Sequence, residues 1–264
     1  MDEPLHAETR GRVRRLVLNR PDRRNALSHA LVGALRRALA QAADDPAVRV
    51  VVLEGAGKAF SAGADLDALR ALRTASAEEN LADSAHLAGL FREIYLHPKP
   101  VLGKIHGAAL GGGCGLAAVC DLAVAADDAK MGFTEVRLGF VPAIVMVFAV
   151  RKIGEAAARS LMLTGRQITG TEAAALGLVT RAVPPADLEA AVDALADEIA
   201  SETSPSAVML TKSMLARVAG MGLDEALTYA TQTNALARTT SDFQAGIASF
   251  LDKTPPPWTG SKGG

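Results

Sequence analysis

Val101-Leu-Gly-Lys-Ile105, then His106, then Gly107-Ala-Ala-Leu-Gly111-Gly112-Gly113-Cys114-Gly115, is the stretch on which the reading of the chain turns. The first five residues form a short apolar run that reads as a buried strand. The glycines after it allow unusual backbone dihedrals and close approach of a ligand. Small residues continue from there to Cys120 and read as a helix. A strand, a glycine-rich turn and a helix start, in that order, present backbone N–H groups where a developing oxyanion can be held, with the helix dipole behind them. No Lys-Ser/Thr follows these glycines, so a Walker-type phosphate loop is excluded. No G-x-G-x-x-G follows the first strand, which argues against a dinucleotide fold. A G-x-S-x-G elbow and an H-E-x-x-H zinc site are also absent.

Working outward, Val13 to Leu18 reads as a strand and Asn19-Arg20-Pro21-Asp22 as the turn after it. A helix is expected from Ser28, its N-cap, with Leu31, Leu35 and Leu39 on one stripe. Val48 to Leu53, apolar but for Arg49, reads as a strand buried on both faces, closed by Gly55-Ala56-Gly57. Residues 77–96 look helical and end before Pro98 and Pro100. Leu122 to Ala126 and Met131 to Phe133 read as further short strands. This alternation predicts an α/β core with mostly parallel pairing.

The last third changes character. Thr169 and Glu172 form a capping box, and Gly177 suits the end of that helix. Leu188, Val192, Leu195 and Ile199 make a helical stripe, Ser204-Pro205 opens another helix, and a final helix is expected over Asp224 to Arg238. The expected organisation is an α/β core over 1–200 and a helical region with its tail over 201–264. Pro255 to Trp258 reads as extended, and the glycines and lysine beyond as disordered.

The bulk properties bound the function. With 264 residues and 49% hydrophobic content, the chain can bury one large core. A net charge of −1 gives no reason to expect nucleic acid or an anionic membrane as partner. The two cysteines, Cys114 and Cys120, fit no zinc spacing and read as reduced core residues in a cytoplasmic setting. The acidic start Met1-Asp2-Glu3-Pro4 has no apolar region of a signal peptide. The longest apolar run, Val141 to Val150, is too short to span a bilayer. No metal site is expected.

Three glycine-bearing segments, Phe60-Ser61-Ala62-Gly63-Ala64-Asp65-Leu66, Gly107 to Gly115 and Met131-Gly132-Phe133-Thr134-Glu135, have no obvious packing role for their glycines. With Asn19-Arg-Pro, Asn25-Ala-Leu27, Cys120-Asp121, Leu138-Gly139, Ala174 to Val179 and Phe250-Leu-Asp-Lys253, they resemble the crotonase (enoyl-CoA hydratase/isomerase) superfamily over nearly the whole chain. The order of the motifs makes the resemblance specific. It implies a ClpP-like spiral of ββα units with a C-terminal helical trimerisation region, assembled as a homotrimer or dimer of trimers. The implied substrate is an acyl-CoA thioester, with coenzyme A as part of the substrate and no separate cofactor.

The same resemblance implies that the backbone N–H groups of Ala64 and Gly112 hold the thioester oxygen. It implies that Glu135 carries the proton, and that Arg24, Ala26, Ala62, Asp65, Leu66, Gly111, Gly115, Phe250 and Lys253 meet the substrate. From the residues alone, Glu135 reads first as a strand-end carboxylate paired with Arg137 or as an exposed charge, and Phe250 and Lys253 equally as a packed ring and a surface lysine. Asp65 reads as a helix cap, and His106 and Asp121 as structural.

Familiar hydratases share the work between two glutamates, and position 115, where the first would stand, is glycine. Hydration is favoured on the likeness to branched or glutaconyl-type enoyl-CoA hydratases with a small residue there. Δ3,Δ2-enoyl-CoA isomerisation with Glu135 as sole base is the alternative, and a non-catalytic acyl-CoA- or RNA-binding protein is the rival of another class. Ala143-Ile-Val-Met-Val-Phe148 stands where hydratases often continue with glycines, and is expected to narrow or reshape the acyl pocket.

Overall fold

The computed structural model describes residues 3–259; the expectation of disorder after Trp258 falls on residues 260–264, outside them. Ten strands form two sheets. The larger contains β1 (Leu5–Arg10), β2 (Val13–Leu18), β3 (Val50–Gly55), β5 (Val101–Ile105), β7 (Leu122–Ala126) and β10 (Arg181–Val183), adjacent in that order. The smaller has β4 (Ala59–Ser61), β6 (Ala108–Leu110), β8 (Lys130–Gly132) and β9 (Ile168–Thr169). Among the strands of the described residues, only the pairs β1–β2 and β8–β9 are antiparallel. Three successive pairs, β3/β4, β5/β6 and β7/β8, place the first strand in the large sheet and the second in the small one, with helix following. β3 and β4 precede α2 (Leu66–Leu72) and α3 (Ala77–Tyr95), β5 and β6 precede α4 (Gly112–Val119), and β7 and β8 precede α5 (Ala143–Thr164). This is the expected ββα spiral.

The central strands are buried on both faces, which is why Val50 to Leu53 is an unbroken apolar run. One face carries α1 (His29–Asp44), with Leu31, Leu35 and Leu39 buried and Ser28 capping its first turn. The other is covered by α7 (Leu188–Glu202), which buries Leu188 and Val192. Under α7, the Arg15 guanidinium meets Glu54 at 2.9 Å, Asp193 at 2.6 Å and Glu189 at 2.8 Å. The capping box at α6 (Gly170–Ala175) is formed by Thr169 and Glu172, and Gly177 follows it with φ 75°. Helices α8 (Pro205–Val218), α9 (Leu223–Ala237) and α10 (Ser241–Asp252) complete the chain. Among the described residues, no helix is long and apolar enough to cross a membrane.

Among the elements that sequence patterning missed are the short strands β4, β6, β9 and β10, together with β1, α5 and α10. The burial pattern of β1 shows one buried residue followed by five exposed ones, so it carries no alternation to read. Helix α10 leaves Phe243, Ile247, Phe250 and Leu251 exposed. Helix α5 contains Ile144 to Phe148, read only as core or pocket wall, and bends at Gly154, whose φ/ψ of 73°/166° are not helical. The tail does not merely extend away: Trp258 lies over Gly246, and its carbonyl accepts from Arg12 at 2.9 Å.

Candidate active site

Two loops meet where the small sheet ends. After β4 the chain passes Ala62, Gly63 and Ala64 before Asp65 caps α2, accepting from the amides of Asp67 and Ala68 at 3.0 and 3.3 Å. After β6 it turns at Gly111, with φ/ψ of 52°/−122°, and enters α4. The loops touch so closely that a β-carbon on Gly63 would lie 2.4 Å from the Leu110 carbonyl and 3.0 Å from the Gly112 nitrogen. A β-carbon on Gly113 would lie 2.2 Å from the Ser61 carbonyl, and one on Gly132 2.7 Å from that of Arg166. The expectation that these glycines lack a packing role is thus corrected: they allow backbone to lie against backbone.

The first loop is fixed from behind. The Asn25 side chain donates to the carbonyls of Ala56 and Ala59 at 2.9 and 2.8 Å and accepts from the Arg20 amide at 2.9 Å. Its buried position holds Asn25 at φ 54°. Leu27 donates to the Gly63 carbonyl at 2.8 Å, Ala62 to that of Arg24 at 2.8 Å, and Ser61 Oγ bridges Asn25 O and Gly63 N. Arg20 reaches Ala26 O at 2.6 Å and Asp65 at 2.7 Å. Burial would raise the Asp65 carboxyl, but the Arg20 pair and the two amide hydrogen bonds prevail and hold it below its ordinary range. Among the described residues, the amides of Ala64 and Gly112 find no carbonyl acceptor. Ala64 is exposed and Gly112 half-buried, so both can meet a ligand.

Glu135 opens a short 3-10 turn, Glu135–Leu138, after β8. It points at the start of α4: a β-carbon on Gly111 would lie 3.1 Å from its Oε1. Its Oε2 is buried and has no hydrogen-bond partner among the described residues. Burial pushes the carboxyl above the ordinary glutamate range. It is not paired with Arg137, whose Nε donates to Thr164 O at 3.3 Å. Beneath it, burial also raises the Cys114 thiol, and the Glu135 charge adds to that. Among the described residues no cluster of metal-ligating side chains occurs.

The structure thus brings Ala64, Gly111, Gly112 and Glu135 together, with Ala26, Ala62 and Asp65 supporting the first loop. Leu66 stands beside it at the start of α2, largely exposed. Arg20 and Arg23 pair with Asp65 and Asp67, whereas Arg24 is exposed and unpaired among the described residues. Gly115 does not line an open surface; it is buried against Val145 and Phe91, which corrects its placing as a substrate contact. Phe250 and Lys253 lie on α10 and just after it, exposed, and α10 packs on α8. Sequence reading missed Asn25 as the hub of the loop and Phe91 as the partner of Gly115. His106 Nε2 donates to Gly57 O at 3.0 Å, and Asp121 accepts from Val101 N at 2.7 Å, both structural contacts.

A cavity of about 540 Å³ lies at the opposite end of α4, lined by Tyr95, Phe148, Lys152, Ile199, Val208 and Lys212 among others. Its two lysines are already engaged. Lys212 donates to Ile94 O, Lys99 O and Asp121, and Lys152 to Cys120 O. Unpartnered groups, not volume, mark the chemistry at the N-terminal end.

A ββα spiral in which two free backbone amides lie near a buried carboxyl without a partner is an arrangement of the crotonase class. The Enoyl-CoA hydratase/isomerase family matches residues 8–261, and the chain belongs to it. A Thermus thermophilus protein named for enoyl-CoA hydratase activity is 46% identical over 94% of this chain and 97% of that one. The Escherichia coli 2,3-dehydroadipyl-CoA hydratase is 35% identical over 94% of this chain and 96% of its own length. The crystal structure of a Mycobacterium smegmatis enoyl-CoA hydratase superposes with a TM-score of 0.92 at 34% identity, covering 98% of this chain and all of that one.

Proposed function

We propose that the protein hydrates an α,β-unsaturated acyl-CoA thioester. The observation that carries the reading is the meeting of the unpartnered Ala64 and Gly112 amides with the unpartnered carboxyl of Glu135. In this mechanism the two amides bind the thioester oxygen. Ionised Glu135 takes one proton from a water as its oxygen bonds to the β-carbon. The double-bond electron pair moves to the thioester oxygen, giving an enolate. The enolate then collapses and its α-carbon takes the proton from Glu135. Each oxyanion donor contributes a few kcal/mol, on the order of 3. A carboxyl raised by burial is the stronger base near neutral pH.

The exposed, unpaired Arg24 supports contact with a CoA phosphate. Coenzyme A enters only as part of the substrate. Exposed Leu223, Leu227, Phe243, Ile247 and Phe250 support a homotrimer or dimer of trimers built through α9 and α10.

A second reading, double-bond isomerisation, is favoured by the single carboxyl: Glu135 would move a proton between two carbons. A binding protein without turnover would gain nothing from a buried carboxyl that lacks a partner and costs stability. The test is turnover of crotonyl-CoA, a carboxylated enoyl-CoA and a 3-enoyl-CoA by the purified protein. Loss of enoyl absorbance supports hydration, and its appearance from the 3-enoyl substrate supports isomerisation instead. Silence on all three overturns the enzymatic reading. Equal rates on the first two would exclude a substrate carboxylate as the group that positions water.

A further inference from the structure

Gly115 lies one helical turn beyond Gly111 and Gly112, on the same face of α4. From Gly111 a β-carbon would point at the Glu135 carboxyl, whereas from Gly115 it would meet a wall. It would lie 2.2 Å from Val145 Cγ1, 2.8 Å from Val145 Cβ and 3.0 Å from Phe91 Cε1. None of these is the loose end of a flexible side chain. Val145 is β-branched and stiff about its first torsion, is buried, and sits in the first turn of α5. Phe91 is fully buried and stacks on Phe148, which in turn leans on Tyr95.

Adding water to a double bond requires an acceptor for the proton the water loses, and its other proton is best held as well. Glu135 supplies one acceptor. The adjacent position on α4 that could supply a second is filled from the neighbouring helix. We infer that Val145, backed by Phe91, is a specificity-determining residue that keeps this a one-acid site, so that the second contact to water comes from the substrate. The inference rests on the acid–base reading of Glu135. It makes Gly115 and Val145 a coupled pair: enlarging the first requires shrinking the second.

The experiment compares wild type, Gly115→Glu, Val145→Gly and Gly115→Glu/Val145→Gly by thermal unfolding and by turnover of crotonyl-CoA, the carboxylated enoyl-CoA and the 3-enoyl-CoA. Gly115→Glu alone is expected to lose several degrees of Tm, on the order of 5 °C or more for an overpacked core. The double variant regains most of that and hydrates crotonyl-CoA at least about tenfold faster than wild type, the gain of a general base. In Val145→Gly alone, added formate accelerates crotonyl-CoA hydration by filling the opened space, and has no such effect on wild type. This arm decides the matter if the double variant does not fold. An unchanged Tm in Gly115→Glu overturns the inference, as does a folded double variant with no gain, or no formate effect. If wild type turns over the carboxylated or the 3-enoyl substrate while the double variant gains nothing, this inference alone falls. If neither protein turns over any substrate, the acid–base reading falls with it.

Discussion

The two ends of α4 differ in how their polar groups are treated. At its N-terminal end the chain leaves groups without partners: the amides of Ala64 and Gly112 and Oε2 of Glu135. At its C-terminal end every charge is engaged. Lys152 meets the carbonyl of the capping residue Cys120, where a cation suits the helix dipole. Lys212 bonds two carbonyls and Asp121, the last at 2.6 Å. Burial lowers both lysines from their ordinary range. One end leaves two amides and a carboxyl oxygen open while the other has its charges engaged, so the N-terminal end is where a substrate gains most by binding.

That contrast is broken if the two ends respond alike to losing their charge. Glu135→Gln is expected to reduce kcat/KM by on the order of 10³-fold, the scale of a lost general acid–base. It should not reduce stability. Glu135 has a folded-state pKa above its unfolded value, so native stability is full below the unfolded pKa and declines as pH rises through the folded one. Removing the charge removes that decline. Glu135→Gln should therefore unfold at a higher temperature than wild type at neutral pH, and the gain should vanish in acid. Lys212→Met should do the opposite. It takes the buried cation away from the Ile94 and Lys99 carbonyls and from a half-buried Asp121, costing about 2–3 kcal/mol. The kcat of the folded protein should stay within about twofold, because α4 still stands on Val145 and Phe91. Urea unfolding across pH, beside initial rates, reads both.

A smaller effect tests the turn between the ends. Gly111→Ala puts a side chain where φ/ψ are 52°/−122° and where its β-carbon would lie 3.1 Å from Glu135 Oε1. The backbone strain costs about 2 kcal/mol. Displacement of the carboxyl should lower kcat about tenfold with little change in KM. Loss of stability with unchanged kcat would show that the Gly111 turn does not aim Glu135.

What the sequence made legible follows from which signals are local. Buried parallel strands announce themselves as apolar runs, and the glycine turns and capping boxes carry their own residue signatures, so β3, β5, α4 and α6 could be read directly. The oxyanion amides and Glu135 were assigned through resemblance, because a backbone N–H has no side chain to identify it. Two features could not be read. The filling of position 115 depends on Val145 arriving thirty residues later from α5. The role of Asn25 depends on the carbonyls of Ala56 and Ala59, which are brought to it only by β4 folding back. Both are long-range packing, invisible to any window along the chain. The glycines misread as free of packing duties failed for the same reason: what they touch is backbone from another loop.

The smallest effect lies at the rim of the N-terminal end, where Arg20, Arg23 and Arg24 follow closely in sequence and separate by partner. Arg20 is held by the half-buried pair with Asp65, and Arg23 faces Asp67 across solvent. Arg24 is exposed, unpaired among the described residues, and held at φ 49° by the loop that anchors Ala62. If it meets a phosphate of the substrate, Arg24→Gln should raise KM about three- to fivefold, the worth of one exposed charge contact of less than about 1 kcal/mol. It should leave kcat unchanged, since the contact is equally strong in ground and transition states. The difference from wild type should shrink as salt is raised, because an exposed pair is screened within about 10 Å at 0.1 M. Arg23→Gln, which removes a cation already facing Asp67, should change KM less. Equal effects of the two substitutions would mean that general positive charge, not the unpaired Arg24, attracts the substrate, and a fall in kcat for Arg24→Gln would mean that the residue braces the Ala62–Ala64 loop rather than meeting a phosphate.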